Sequence, residues 1–384
     1  MGKNIVVCCD GTGNEFGDQN SNVVRLYSVL KLDDGQQIAY YHPGVGTMGA
    51  PSALLKITKW WTKLLGMLFG YGLTAAIEDA YMYLMNVYEE GDTLFVFGFS
   101  RGSYTARALC SMLRMYGLLR TGDDALVRYV SRMIRHGGDD KFKLAAQFAQ
   151  TFSRPCHPHF VGVWDTVSSV GWIYDPVRLP YTAQNPHIRI ARHAMSIDER
   201  RCFYRPNLWH PLPPAAGQDL KQVWFAGVHS DVGGSYPEPT GQLSKITLQW
   251  MLREACAAGL RVDPQKVECV LGRSPASRGC ESFVPPDPAA EAHDQLKGWW
   301  RLLEIVPKRY SVEVAQPDGT TKWVQKWKIP LGEQRQIQGP PMPLIHQSVE
   351  DRMARRADYR PKNLPPKENY QVVDDLPAPA APAP

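Results

Sequence analysis

The sequence has no apolar run of about 18 residues free of charge, so no membrane-spanning helix is expected. Its eight cysteines contain no C-x-x-C pair, and no H-E-x-x-H motif occurs, which removes the common thiol-redox and zinc signatures. Neither sign of charge dominates. Lys and Arg number 43 against 38 Asp and Glu, a net charge of +5, which permits an anionic partner without requiring one. Outside residues 56–63 there is no basic run interleaved with aromatics and no recognised module, so no nucleic-acid partner is expected. No internal repeat is present. The apolar stretch after Met1-Gly2-Lys3-Asn4 stops at Asp10, too short for a signal-peptide core. Val6 stands where a myristoylation motif needs Ser or Thr. The expectation is a chain that is cytoplasmic as synthesised. Its thiols (Cys8, Cys9, Cys110, Cys156, Cys202, Cys256, Cys269 and Cys280) are expected to be buried and free.

What is present is ordinary globular material, 44% hydrophobic and 21% charged over 384 residues. Residues 1–260 alternate between strand-like and helix-like segments. That pattern predicts an α/β fold, a mostly parallel sheet flanked by helices as in α/β-hydrolases. The strands expected are Asn4–Cys9, Thr93–Phe99, 159–164 and 223–228, largely apolar and read as buried, as strands covered on both faces are. Helical periodicity marks 21–30, 73–88 and 103–116. Residues 261–350 are richer in Pro and Gly and predict a smaller C-terminal subdomain within the 1–350 hydrolase domain. In it, 310–329 alternates like a hairpin around Pro317-Asp318-Gly319. From Pro361 to the end the composition predicts a disordered Pro/Ala-rich tail.

Gly98-Phe99-Ser100-Arg101-Gly102 matches G-x-S-x-G, with an apolar strand running in and a helix running out. A nucleophile elbow needs this setting. Gly98 and Gly102 let strand and helix approach closely, and Ser100 Oγ stands clear at a helix N-terminus. A serine hydroxyl needs a base, and the base needs an orienting carboxylate. After Ser100, the first acid at the end of an apolar strand is Asp165 and the first such histidine is His229, in the order Ser, acid, His. In a parallel sheet all three fall at the carboxyl edge, where such sheets bind ligands. The oxyanion donors are expected from the N–H of Arg101 and from the loop Gly11-Thr12-Gly13, held by Asp10. Asp10, Gly98, Gly102 and Asp231 are the supporting residues, and His346 is the reserve base.

The segments Asp10-Gly-Thr-Gly-Asn14, Gly98-Phe-Ser-Arg-Gly-Ser-Tyr-Thr-Ala-Arg107, Val163-Trp-Asp-Thr-Val167 and Gly227-Val-His-Ser-Asp-Val-Gly-Gly234 form a set. Ser196-Ile-Asp-Glu-Arg-Arg201 and Ile345-His-Gln-Ser-Val349 extend it. Together they resemble the α/β-hydrolase family of type VI secretion phospholipase effectors, over roughly residues 3–350. By that match Ser100 is nucleophile, Asp165 acid and His229 base. The resemblance implies hydrolysis of glycerophospholipid acyl esters without a cofactor, and in some members bacterial killing. It also implies export without a signal peptide, and a secretion-system component and a cognate immunity protein as partners.

Residues 54–69 place Lys56, Lys59 and Lys63 on one helical face, with Trp60 and Trp61 beside them and leucines on another. Within the 51–72 insertion this suits an interfacial helix on an anionic membrane surface or a lid over an acyl pocket. It equally suits a helix packed on the core with a solvated lysine face. Residues 299–303 read as core, with a second lipid contact as the alternative. Two rival functions remain open. One is a metal-dependent phosphohydrolase using Asp10, Asp165, His229 and Asp231. The other is an inactive hydrolase scaffold that binds a partner.

Overall fold

The computed structural model describes residues 2–11, 17–33, 35–44, 71–134, 140–167, 171–172, 175–176, 179–209, 217–274, 278–315, 321–339 and 341–374. Eight strands form its main sheet: β1 (Asn4–Cys9), β2 (Gln37–His42), β3 (Thr93–Phe99), β4 (Pro158–Trp164), β5 (Ile190–Ser196), β6 (Asp219–Phe225), β7 (Leu344–His346) and β8 (Gln371–Val373). Their spatial order is β8-β7-β6-β5-β4-β3-β1-β2, and every pairing is parallel.

The unbroken apolar strands follow from this arrangement. Alternate side chains leave opposite faces of a strand, and here both faces are covered. Ile5, Val7, Leu94, Val96, Val161 and Val163 pack on one side, against Tyr81, Leu84, Leu109 and Leu113. Val6, Cys8, Phe95, Phe97, Phe160 and Trp164 pack on the other, against Val23, Leu26, Leu248 and Met251. The first layer of helices is Tyr71–Val87 and Arg101–Tyr116, and the second is Asn22–Ser28 and Gln242–Ala257. Ser21 caps Asn22–Ser28 by accepting the Val24 N–H at 3.2 Å.

Several expectations need correction. The strand expected at 223–228 runs from Asp219 to Phe225; its polar start, Asp219-Leu-Lys221, carries no apolar signal. The hairpin of 310–329 is present as Lys308–Ala315 paired antiparallel with Thr321–Lys328. Within 261–350, Leu344–His346 forms β7, beside β6 in the main sheet. The tail expected to be disordered from Pro361 is ordered as far as residue 374. Gln371–Val373 pairs with β7, and Tyr370 packs in the cluster around Trp224 and Ile345. Residues 375–384 lie outside the described residues. Cys269 and Cys280 are joined in a disulfide, against the expectation of free thiols. The chain turns back after the helix Pro264–Val270 and brings their Cα atoms to 5.1 Å. The other six cysteines are free. The helix Trp299–Glu304, expected to be core, lies at the surface, with Leu302 52% exposed. Among the described residues no helix is long and apolar enough to cross a membrane.

Candidate active site

β1 lies between β2 and β3, so the strand order reverses there. The carboxyl ends of β1 and β3 flank the crevice that such a reversal opens, where open α/β sheets bind ligands. Asp10 follows β1, Ser100 follows β3 and Asp165 follows β4. His229 opens the short helix His229–Gly233 just beyond β6.

Ser100 adopts φ 59° and ψ −120°, a conformation that costs a non-glycine residue free energy. The glycines around it make room for the turn. A Cβ on Gly98 would lie 2.5 Å from the Gly102 carbonyl oxygen, and one on Gly102 would lie 2.2 Å from the oxygen of Cys9. Further bonds hold the turn to β4. Ser100 N–H donates to the Trp164 carbonyl at 3.0 Å, and Ser103 Oγ donates to the carbonyls of Gly98 and Trp164 at 2.8 and 2.9 Å.

Three side chains from three strand ends meet here. His229 Nε2 lies 2.8 Å from Ser100 Oγ, and His229 Nδ1 lies 2.5 Å from Asp165 Oδ2. An ionised carboxylate only accepts. Nδ1 is therefore the protonated nitrogen, and Nε2 is left to accept the Ser100 hydroxyl. Ser100 is 7% exposed, and Asp165 and His229 are buried. His229 is held in place by its neighbours. Its ring stacks on Phe99 and meets Tyr204 edge-on, and its backbone N–H donates to Glu199 Oε2 at 3.2 Å. Burial pushes the imidazole below its ordinary pKa, and Arg201 acts the same way, while Asp165 and Glu199 pull upward. Burial would raise the Asp165 carboxyl, but Arg335 and His229 outweigh it and hold the group below the usual carboxylate range.

Arg335, which sequence reasoning missed, grips Asp165 with both Nη atoms, at 2.6 and 2.9 Å. It lies in a segment with no strand or helix to flag it. The segment Ser196–Arg201, noted above only as part of a resemblance, has clear structural work. Ser196 N–H donates to Asp165 Oδ1 at 3.0 Å. Gly227 N–H donates to Asp198 Oδ2 at 2.6 Å. Arg201 pairs with Glu199 at 2.9 and 2.7 Å and lies over the Tyr204 ring.

Asp10 is buried and accepts from Ser21 Oγ at 2.7 Å, Tyr41 OH at 2.8 Å and the Gly11 N–H at 2.6 Å. The Gly11 donor is thus already engaged. Thr12, Lys56, Lys59, Trp60, Trp61 and Lys63 lie outside the described residues. Arg101 begins the helix Arg101–Tyr116, so its N–H lies in the first turn, directly after Ser100. Asp231 accepts the Val228 N–H at 3.0 Å, next to His229, and sits 2.6 Å from His293 Nδ1. His346 caps its own helix through the Ser348 N–H and stacks on Phe225; the histidine within hydrogen-bond distance of Ser100 Oγ is His229.

The oxygens that a metal-dependent reaction would need are committed elsewhere. Those of Asp165 go to Arg335, His229 and Ser196, and those of Asp231 to Val228 and His293. Among the described residues no group of three His, Cys, Asp or Glu side chains converges as a metal site.

A parallel α/β sheet flanked by helices, with a strained serine at its switch point and a histidine within hydrogen-bond reach, defines the chain as α/β-hydrolase-like. It belongs to the type VI secretion system family of Tle1-like phospholipase effectors, whose catalytic-domain model matches residues 3–254. It is also similar to the uncharacterized protein YEL023C of Saccharomyces cerevisiae, 35% identical over 229 residues, which are 55% of this chain and 33% of that one. A crystal structure of an uncharacterized protein from Pseudomonas aeruginosa aligns with a TM-score of 0.43 and 19% identity, covering 74% of this chain and 49% of that one. The chain thus spans about a third of the curated relative's length and about half of the solved one's.

Proposed function

We propose that the protein is a serine hydrolase that cleaves carboxylic esters, foremost the acyl esters of glycerophospholipids. Ser100 attacks the ester carbonyl while His229 Nε2 takes its proton. Asp165 keeps the imidazole in the Nδ1–H tautomer and stabilises the imidazolium. The Arg101 N–H stabilises the oxyanion. Because Gly11 donates to Asp10, Thr12 is the second donor we assign from the loop after β1. His229 then returns the proton to the leaving alcohol. Water, activated by the same imidazole, releases the acid from the acyl-enzyme.

The observation that carries this reading is the unbroken line Ser100 Oγ, His229 Nε2, His229 Nδ1, Asp165 Oδ2, with contacts of 2.8 and 2.5 Å, beginning at a serine whose φ is 59°. Family membership supports the lipid substrate and export by a type VI system. The Cys269–Cys280 disulfide supports a destination outside the reducing cytosol. In this reading Lys56, Lys59, Trp60, Trp61 and Lys63 contact the membrane or the substrate. A secretion-system component and an immunity protein are the macromolecular partners.

Two measurements test the proposal. A fluorophosphonate should label folded protein at Ser100, with the label lost in Ser100→Ala. Thin-layer separation should then show fatty acid released from phospholipid vesicles, unaffected by chelator. Chelator-sensitive turnover without labelling favours the phosphohydrolase. Neither labelling nor turnover favours the binding scaffold.

A further inference from the structure

Arg335 lies beyond the 3–254 match and is 7% exposed. All four of its Nη protons have acceptors. Nη1 donates to Asp165 Oδ1 at 2.6 Å and to the Ser196 carbonyl at 3.0 Å. Nη2 donates to Asp165 Oδ2 at 2.9 Å and to the Tyr204 carbonyl. A planar fork that meets both carboxylate oxygens fixes the plane of the carboxylate as well as its position. His229 Nδ1 reaches the same Oδ2 at 2.5 Å. Asp165 therefore stands between a permanent cation and an imidazole that becomes cationic only during the reaction.

We infer that Arg335 is a positioning residue of the Ser100–His229–Asp165 line: it locks the Asp165 carboxylate and offsets its charge, so that His229 remains a neutral base at lower pH than an uncompensated acid would allow. The inference rests on the proposed triad. Its physical ground is the cost of a buried carboxylate. An unpaired charge there is strongly unfavourable, and the nearby imidazole could relieve it by holding a proton permanently. Such an imidazole could not act as a base.

The other charged groups around His229 have hydrogen-bond partners of their own. Glu199, which accepts the His229 N–H, is bound by Arg201. Asp231, on the base's own helix, is engaged by His293. On the far side of Asp165, His193 Nε2 accepts the Thr166 N–H at 3.1 Å and burial keeps that ring neutral. Within this surround, Asp165 is the carboxylate bonded to the imidazole, and Arg335 is the cation bonded to Asp165.

The test follows the His229 ring by NMR titration in the full chain, for wild type, Arg335→Gln and Arg335→Lys, beside pH–rate profiles for a short-chain ester. Gln keeps a donor and removes the charge. The His229 midpoint should move to higher pH, and the acidic limb of kcat/KM should move with it. At the optimum kcat should fall about ten- to a hundred-fold, the scale for losing bonds to a charged group. KM should change little, because a buried Arg335 does not meet substrate. Lys keeps the charge without the fork, so the midpoint should stay near wild type while kcat falls. A folded Arg335→Gln with wild-type midpoint and kcat overturns the inference. If that variant does not fold, a wild-type kcat in Arg335→Lys overturns it equally. A shifted midpoint in a protein without ester turnover removes the hydrolase reading and leaves the role of Arg335 standing. Wild-type turnover by Arg335→Gln with an unmoved midpoint does the reverse.

Discussion

The ring of Phe99 lies stacked on the imidazole of His229, with centroids 4.8 Å apart and planes inclined by 30°. Phe99 ends β3 and directly precedes Ser100, so one strand end supplies both the proposed nucleophile and the platform on which the imidazole rests. On the helix that carries His229, Gly233 also meets this ring. A Cβ there would sit 1.8 Å from a Phe99 ring carbon. Gly233→Ala must therefore displace Phe99, and the imidazole with it. The expected result is a loss of about 1–3 kcal/mol in stability from overpacking and a larger proportional loss of ester turnover. Thermal melting and turnover of this variant at wild-type values would show that the stack does not position the base.

Ser100 should reveal a conflict between stability and function. Ser100→Ala keeps the strained φ of 59° and removes the hydroxyl. It should fold normally and lose about four or more orders of magnitude in kcat. Ser100→Gly removes the hydroxyl and tolerates that φ, so it should be more stable than the alanine variant by about 1 kcal/mol, subject to the entropy that glycine adds to the unfolded chain. Denaturant midpoints of the two variants decide this. A glycine variant clearly less stable than the alanine variant would mean that the turn stores no strain.

Ser100, Asp165 and His229 were legible because each follows an apolar strand, and a parallel sheet brings such ends to one edge. Their spatial meeting needed nothing finer than strand order. Arg335 was not legible. It sits among Gly332, Gln336 and Gln338, with neither period nor motif, and reaches Asp165 from outside the matched domain. β5 was overlooked because Ile190–Ser196 carries the polar pair Arg192 and His193 within its buried run. Those polar groups are satisfied internally, Arg192 by Glu254 and Asp219, and His193 by Thr166 and Gln222. β8 is three residues long beside a Pro-rich end, too short for composition to register.

The disulfide offers a test of the segment leading back to the sheet. Cys269 and Cys280 close a loop with a sequence separation of 11. Loop-closure entropy assigns such a crosslink about 2–3 kcal/mol. Reductant, or Cys280→Ser, should lower the unfolding midpoint by an amount in that range. Turnover below the transition should be nearly unchanged, because the bond lies away from the Ser100–His229 contact in the chain. Free-thiol titration of unfolded, unreduced protein should find six thiols if the pair is oxidised. Eight would mean that it is not.

His193 predicts how stability depends on pH. It is fully buried; its Nε2 accepts the Thr166 N–H, and its Nδ1 lies 3.4 Å from Gln222 Oε1. Burial, reinforced by the Arg107 cation, pushes its pKa down to about 3 from an ordinary 6.5. The folded state thus refuses a proton that the unfolded state accepts. Stability from this group is fully present above pH 6.5 and is lost as pH falls toward 3, by about 1.4 kcal/mol per pH unit. His229 is depressed in the same direction and adds to the slope. Asp198 opposes it: burial raises its carboxyl to about 6, so the folded state gains a proton first as pH falls from 6 toward 3.8. The contribution of His193 is isolated by comparison with His193→Gln, which can still accept the Thr166 N–H and cannot titrate. Between pH 6.5 and 4.5 the denaturant-unfolding free energy of wild type should fall more steeply than that of the variant. Parallel curves would mean that His193 is not held neutral by the fold.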